Sequence, residues 1–160
     1  MIEQRRPYGF GTVLEVPFDL ALQKTRDALA AEGFGILCEI DVAATLRQKL
    51  GVAMAPYTIL GACNPPLANQ ALRADPDIGP LLPCNVIVYG PEAPNATVVA
   101  AMDPEATLAL TDNDAMRPVA AQVAAKLRRV VEHVASAWQN EKVPRPAMTG
   151  SDEDGAASRE

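Results

Sequence analysis

At 160 residues, 49% of them hydrophobic and 21% charged, the chain suits one globular domain that can bury a core without a disulfide or metal staple. Its formal charge of −6, with Arg5-Arg6 and Arg128-Arg129 as isolated basic pairs, argues against nucleic-acid or acidic-membrane partners, which need clustered cations. A membrane helix needs about 18–20 apolar residues in a row and a secretory signal needs an apolar core behind its charges; neither is present, and three cysteines without a CxxC spacing fit a cytoplasmic protein.

The first strand candidate is Phe10 to Val16, with Phe10, Thr12, Leu14 and Val16 alternating, and Pro17 stops it. Asp19 is the expected N-cap of a helix whose inner face is Leu22, Thr25, Ala28 and Leu29, and Gly33 closes that helix by taking positive φ. A second strand spans Phe34 to Ile40. Asp41 then caps a short helix with Val42, Leu46 and Leu50 inward, closed by Gly51.

Tyr57 to Cys63 forms the third strand, and Asn64-Pro65 reads as an N-cap followed by proline at the first helical position. That helix runs to about Ala74 and ends at Asp75-Pro76. An extended Pro-rich link, Ile78 to Pro83, leads to strands Asn85 to Tyr89 and Thr97 to Met102, read as a hairpin, and Asp103-Pro104 opens a single helical turn.

Met116, Val119, Val123, Leu127, Val130, Val134 and Trp138 recur at spacings of 3 and 4, marking a long amphipathic helix. The residues after it are Pro, Gly, Ser, Ala and charges, so 1–139 is read as one domain and 140–160 as a disordered tail.

This order predicts an α+β fold: a single mixed β-sheet of about five strands, helices mainly on one face, and a long C-terminal amphipathic helix. The strand–helix–strand start favours parallel neighbours. Val13, Ile87, Val99 and Ala101 alternate in both directions, so the uncovered sheet face is expected either to meet water or to pack on a second copy.

Three stretches together carry a family resemblance: the run from Gly33-Phe34-Gly35-Ile36 through Asp41 to Gly51, then Pro56-Tyr57-Thr58-Ile59-Leu60-Gly61-Ala62-Cys63-Asn64-Pro65-Pro66-Leu67-Ala68, then Leu81-Leu82-Pro83-Cys84-Asn85-Val86-Ile87-Val88-Tyr89. With Met102-Asp103-Pro104, they resemble domain-of-unknown-function family 302 over roughly residues 8 to 138. Cys38 is less typical of that pattern than Cys63 or Cys84. The resemblance implies a compact α+β domain, often dimeric, and brings no catalytic roles with it.

Two groups of residues carry candidate chemistry. Cys63-Asn64 ends one strand and Cys84-Asn85 begins another, so antiparallel pairing would bring the two cysteines together, with Cys38 apart. Cys63 also precedes a helix N-terminus, which favours thiolate. The pair is therefore either a redox-active or ligand-gripping thiol site or two small core residues. Glu39, Asp41, Lys49 and Tyr57 form either a strand-end cluster able to bind or deprotonate a small molecule, or a set of helix caps and solvated side chains.

His133 is the only histidine, so neither it nor the dispersed cysteines define a metal site, and no phosphate-cradling or nucleophile-elbow motif identifies a cofactor. Two functions remain open: a homodimeric binding or assembly module with a small-molecule ligand, or a small thiol-based enzyme or sensor built on Cys63 and Cys84.

Overall fold

In the computed structural model, which describes residues 2–91 and 95–140, one sheet organises the molecule. Its strands are β1 (Glu3–Arg6), β2 (Gly9–Leu14), β3 (Gly35–Asp41), β4 (Tyr57–Cys63), β5 (Cys84–Tyr89) and β6 (Thr97–Met102). The helices are α1 (Phe18–Ala31), α2 (Val42–Leu50), α3 (Pro65–Ala74), α4 (Pro104–Leu108) and α5 (Met116–Asn140), with 3-10 turns at Pro76–Leu81 and Ala109–Thr111. The α+β class, the single sheet and the long final helix are as the sequence predicts. Among the described residues, no helix is long and apolar enough to cross a membrane.

Strand pleating sorts the side chains. Register sets Phe10 opposite Ala101, Thr12 opposite Val99, Val86 opposite Ala101 and Leu60 opposite Val86. These residues share one face and all are buried. Over that face lie Ala21, Leu22, Thr25, Ala28 and Leu29 of α1, and Met116, Val119, Val123, Leu127, Val130 and Val134 of α5, all buried. A fully buried leucine such as Leu127 contributes about 1.5–3 kcal/mol of transfer free energy. The core's buried threonines are satisfied locally: Thr97 donates to the Val16 carbonyl at 2.7 Å and Thr25 to that of Ala21 at 2.7 Å.

Strand order differs from expectation. The sheet runs β1-β2-β6-β5-β4-β3 with every neighbouring pair antiparallel. β2 and β3 do point the same way, but three strands separate them. Leu14 ends β2 at the Tyr57 end of the sheet and Gly35 starts β3 at the Cys63 end, so α1, at 14 residues and about 21 Å, returns the chain along the strands while shifting it sideways. The helix thus carries the chain across the sheet, and the later strands fill the gap by antiparallel pairing. β1, a polar segment with no alternating signal, adds a sixth strand.

Local expectations fare as their physics allows. Asp41 caps α2 by accepting from the Ala44 N–H at 2.8 Å, and Gly33 and Gly51 close their helices at φ +83° and +69°. Asp19 does not cap α1. Pro17 is the N-cap residue, and Asp19 sits in the first turn, where its charge meets the helix's positive end. The inner face assigned to α2 is not buried, and Leu50 is 69% exposed, because the helix follows the edge strand β3 and little packs across it. Val99 and Ala101 belong to the buried core, leaving Val13 and Ile87 on the other face. The link after α3 is a 3-10 turn, capped where Asp75 accepts from the Asp77 N–H at 2.9 Å, rather than an extended segment. The side chain of Trp138 and the tail beyond Asn140 lie outside the described residues.

Candidate ligand-binding site

The segment Cys63 to Cys84 leaves the sheet and comes back to it. β4 ends at Cys63, and Asn64 turns the chain into α3, its Oδ1 accepting from the Leu67 N–H at 3.4 Å and its Nδ2 donating to the Gly33 carbonyl at 3.2 Å. After α3 and the 3-10 turn, β5 begins alongside the end of β4, with Ala62 opposite Cys84 and Gly61 opposite Asn85. α4, started by Asp103 accepting from the Glu105 N–H at 3.0 Å, and the first turns of α5 close the far side.

Between these elements lies a cavity of about 280 Å³ whose walls include Leu67 and Ala71 of α3, Leu82, Met102, Leu108 of α4 and Val123 of α5. Its polar border is short: Asn64, already engaged with backbone, and the cysteines Cys63 and Cys84. An apolar cavity of about 150 Å³ stays dry and takes up benzene, so this one is suited to an uncharged apolar molecule nearly twice that size. Burial pushes the Cys84 thiol up to about 11, with nearby Cys63 adding to the effect. The Cys84 side chain therefore stands in the cavity wall as a neutral, polarisable group.

The other sequence candidates are dispersed. Cys38 pairs with Gly61 on exposed β3 and is not among the residues that line the cavity. Glu39 forms a two-pronged ion pair with Arg26 of α1, at 2.6 and 3.2 Å, while Asp41 is the α2 cap and Lys49 lies exposed in that helix's last turn. Tyr57 stacks on Tyr89, with ring centroids 5.3 Å apart and planes 13° from parallel. By strand parity it lies on the sheet face opposite Glu39's, so these four do not form one site. Asn85 is also on the Tyr57 face and exposed, which separates it from Asn64.

Sequence reasoning missed the residues that enclose the cavity, Leu67, Ala71, Leu82, Met102 and Leu108. Their apolar character is visible, but each reads as ordinary packing until the fold-back of α3 and its turn is known. It also missed Tyr89 as the partner of Tyr57.

The architecture is an α+β module whose antiparallel sheet carries an apolar pocket at one end, beneath α3, α4 and α5. The family described as Domain of unknown function DUF302 matches residues 10–134, and the chain belongs to that family. Its fold is similar to that in a crystal structure of an uncharacterized conserved protein DUF302 from Bacillus stearothermophilus. That likeness has a TM-score of 0.73 and 23% sequence identity, and covers 79% of this chain and 98% of that one. No curated protein matches the sequence.

Proposed function

We propose that the protein is a cytoplasmic binding module for a small, uncharged, apolar molecule held beside Cys84, acting as a homodimer. The observation that carries this reading is the cavity of about 280 Å³, walled almost wholly by aliphatic side chains. A reading centred on thiol chemistry fits less well, because the Cys84 pKa is pushed up to about 11, whereas nucleophilic and redox-active cysteines have lowered values. Naphthalene is a probe of suitable size and polarity. Titrated into the full chain, it is expected to shift the methyl resonances of Leu67, Leu82 and Leu108 saturably and to raise Tm. Ala71→Leu and Ala68→Leu, which fill the cavity from α3, are expected to abolish both effects. Absence of saturable shifts, or shifts that survive both variants, would remove this reading.

Self-association is assigned to the β3 edge. Leu37 and Leu50 are 68% and 69% exposed, and Ile40, Val52 and Met54 are exposed as well. β3 is a seven-residue edge strand without the lysine or proline that commonly blunts such edges. Two copies pairing β3 with β3 about a twofold axis would cover this patch on both. The outward face of α5 is mostly polar, which argues against that helix as the contact.

A further inference from the structure

We propose a second ligand site, on the sheet face away from the helices: a tyrosine-walled cleft that takes a planar aromatic carboxylate. The chain has three tyrosines, and Tyr8, Tyr57 and Tyr89 all line this one cleft of about 460 Å³. They come from separate places, the turn between β1 and β2, the first residue of β4 and the last of β5, so their convergence is a product of the fold. Register sets Tyr57 directly opposite Tyr89, and the two rings stack 5.3 Å apart.

The lining explains the ligand class. Ile87, Ala100 and Gly9 contribute apolar surface to the same cleft as the aromatic side chains, a lining that suits a flat ring. Among the described residues, every polar side chain in the lining can donate: three phenols, the Asn85 amide and the Arg6 guanidinium. Arg6 brings positive charge, and among the described residues no carboxylate lines the cleft. Partial burial, together with the neighbouring phenols of Tyr89 and Tyr8, raises the Tyr57 pKa, so its hydroxyl stays protonated and available as a donor. An acceptor-rich anion on an aromatic ring satisfies the aromatic, apolar and donor groups of the lining together.

The probe is 2-naphthoate, compared with naphthalene and cyclohexanecarboxylate, followed by NMR on the full chain. Saturable shifts are expected at Tyr57, Tyr89, Ile87 and Ala100. Stacking and a charge-assisted hydrogen bond are each large enough that Tyr8→Ala and Arg6→Gln should weaken 2-naphthoate by about tenfold. Neither variant touches the tightly packed core, so a folding failure would not mimic these losses. Cyclohexanecarboxylate should bind at least about tenfold more weakly. The proposal fails if 2-naphthoate shifts only the Leu67 and Leu108 side of the protein, if Arg6→Gln leaves its affinity unchanged, or if Tyr8 becomes shielded by a second copy as protein concentration rises. It is distinct from the apolar cavity, because the two sites report through separate resonances.

Discussion

Ala62, rather than Cys63, stands directly opposite Cys84 across the β4–β5 ladder. Directly opposed residues share a face of an antiparallel pair, so Cys84 shares the helix-covered face with Ala62, while Cys63, the next and last residue of β4, borders the same cavity. This placement explains why the Cys84 thiol is held protonated: it is shielded by apolar walls, and the nearest other ionisable group is another thiol. With its pKa raised from 9.0 to about 11, the thiolate fraction near neutrality falls about a hundredfold. In a Cys38→Ser, Cys63→Ser background, iodoacetamide is expected to alkylate Cys84 at least about a hundredfold more slowly in the folded chain than in denaturant. Comparable rates would restore a thiol-based mechanism.

Much of the local structure is legible in the residues themselves. Asp41, Asn64 and Asp103 each announce a helix start, since a short polar side chain followed by an apolar run has few better uses. The bounds of β4, α3 and β6 follow directly from such signals. Strand order is not legible, because it depends on how far sideways α1 shifts the chain, and the pattern of α1 reports only which of its faces is buried. The cavity is less legible still. Leu67 and Leu108 are far apart in sequence, and nothing local to either says that a void, rather than a side chain, lies between them. Cys63 and Cys84 draw attention as rare residues near strand ends, and they do border the cavity. Glu39, Asp41, Lys49 and Tyr57 look like a cluster only while the pleat is ignored.

Gly61 is a place where strand packing leaves little room. A Cβ there would lie 2.5 Å from the Cys38 Sγ and 2.9 Å from the Pro83 ring. The sulfur can rotate away, but the proline ring cannot. Gly61→Ala is expected to destabilise the fold by about 1–3 kcal/mol, the usual cost of overpacking. Adding Cys38→Ala should recover only part of the loss, because Pro83 still obstructs. Urea denaturation of the two variants measures both effects, and an unchanged midpoint for Gly61→Ala would contradict the close approach.

The β3 edge offers a direct test of self-association. Ile40 is 45% exposed and lies opposite Ile59. Ile40→Lys places a solvated charge on the proposed interface, and as a surface change it should alter monomer stability by no more than about 0.5 kcal/mol. Sedimentation at tens of micromolar, an order-of-magnitude choice suited to a standard-sized interface, is expected to show a dimer for the unmodified chain and a monomer for the variant. A monomer in both cases would remove the homodimer; a dimer in both would move it to another surface.

Residues 141–160 include Pro144, Pro146, Gly150 and Gly155, and the acidic run Ser151 to Gly155. Such a segment has little apolar surface to dock. Ending the chain at Asn140 is expected to leave Tm within about 3 °C, a change of order 1 kcal/mol. A larger fall in a thermal melt would show that the segment packs on the domain.

Glu32 ties the end of α1 to the middle of α5. Its carboxylate accepts from Arg129 Nε at 3.0 Å and Nη2 at 2.9 Å, and Lys126 Nζ donates to its backbone carbonyl at 3.0 Å. The Arg129 hydrogen bonds hold the Glu32 pKa below its ordinary value near 4.5, outweighing the opposing effect of burial, and the charges of Arg129, Lys126 and His133 add to the lowering. A carboxylate whose pKa falls on folding stabilises the folded state fully above its unfolded pKa. That contribution is lost as pH falls through the folded value. The stability gap between the unmodified chain and Glu32→Gln is therefore expected to be widest above the ordinary glutamate range and to close as pH falls below it. Urea midpoints for the two proteins at several pH values across that window measure the gap. A gap that stays constant to the acid end would mean that the Glu32→Gln substitution costs packing rather than charge, and that the clamp between α1 and α5 is steric.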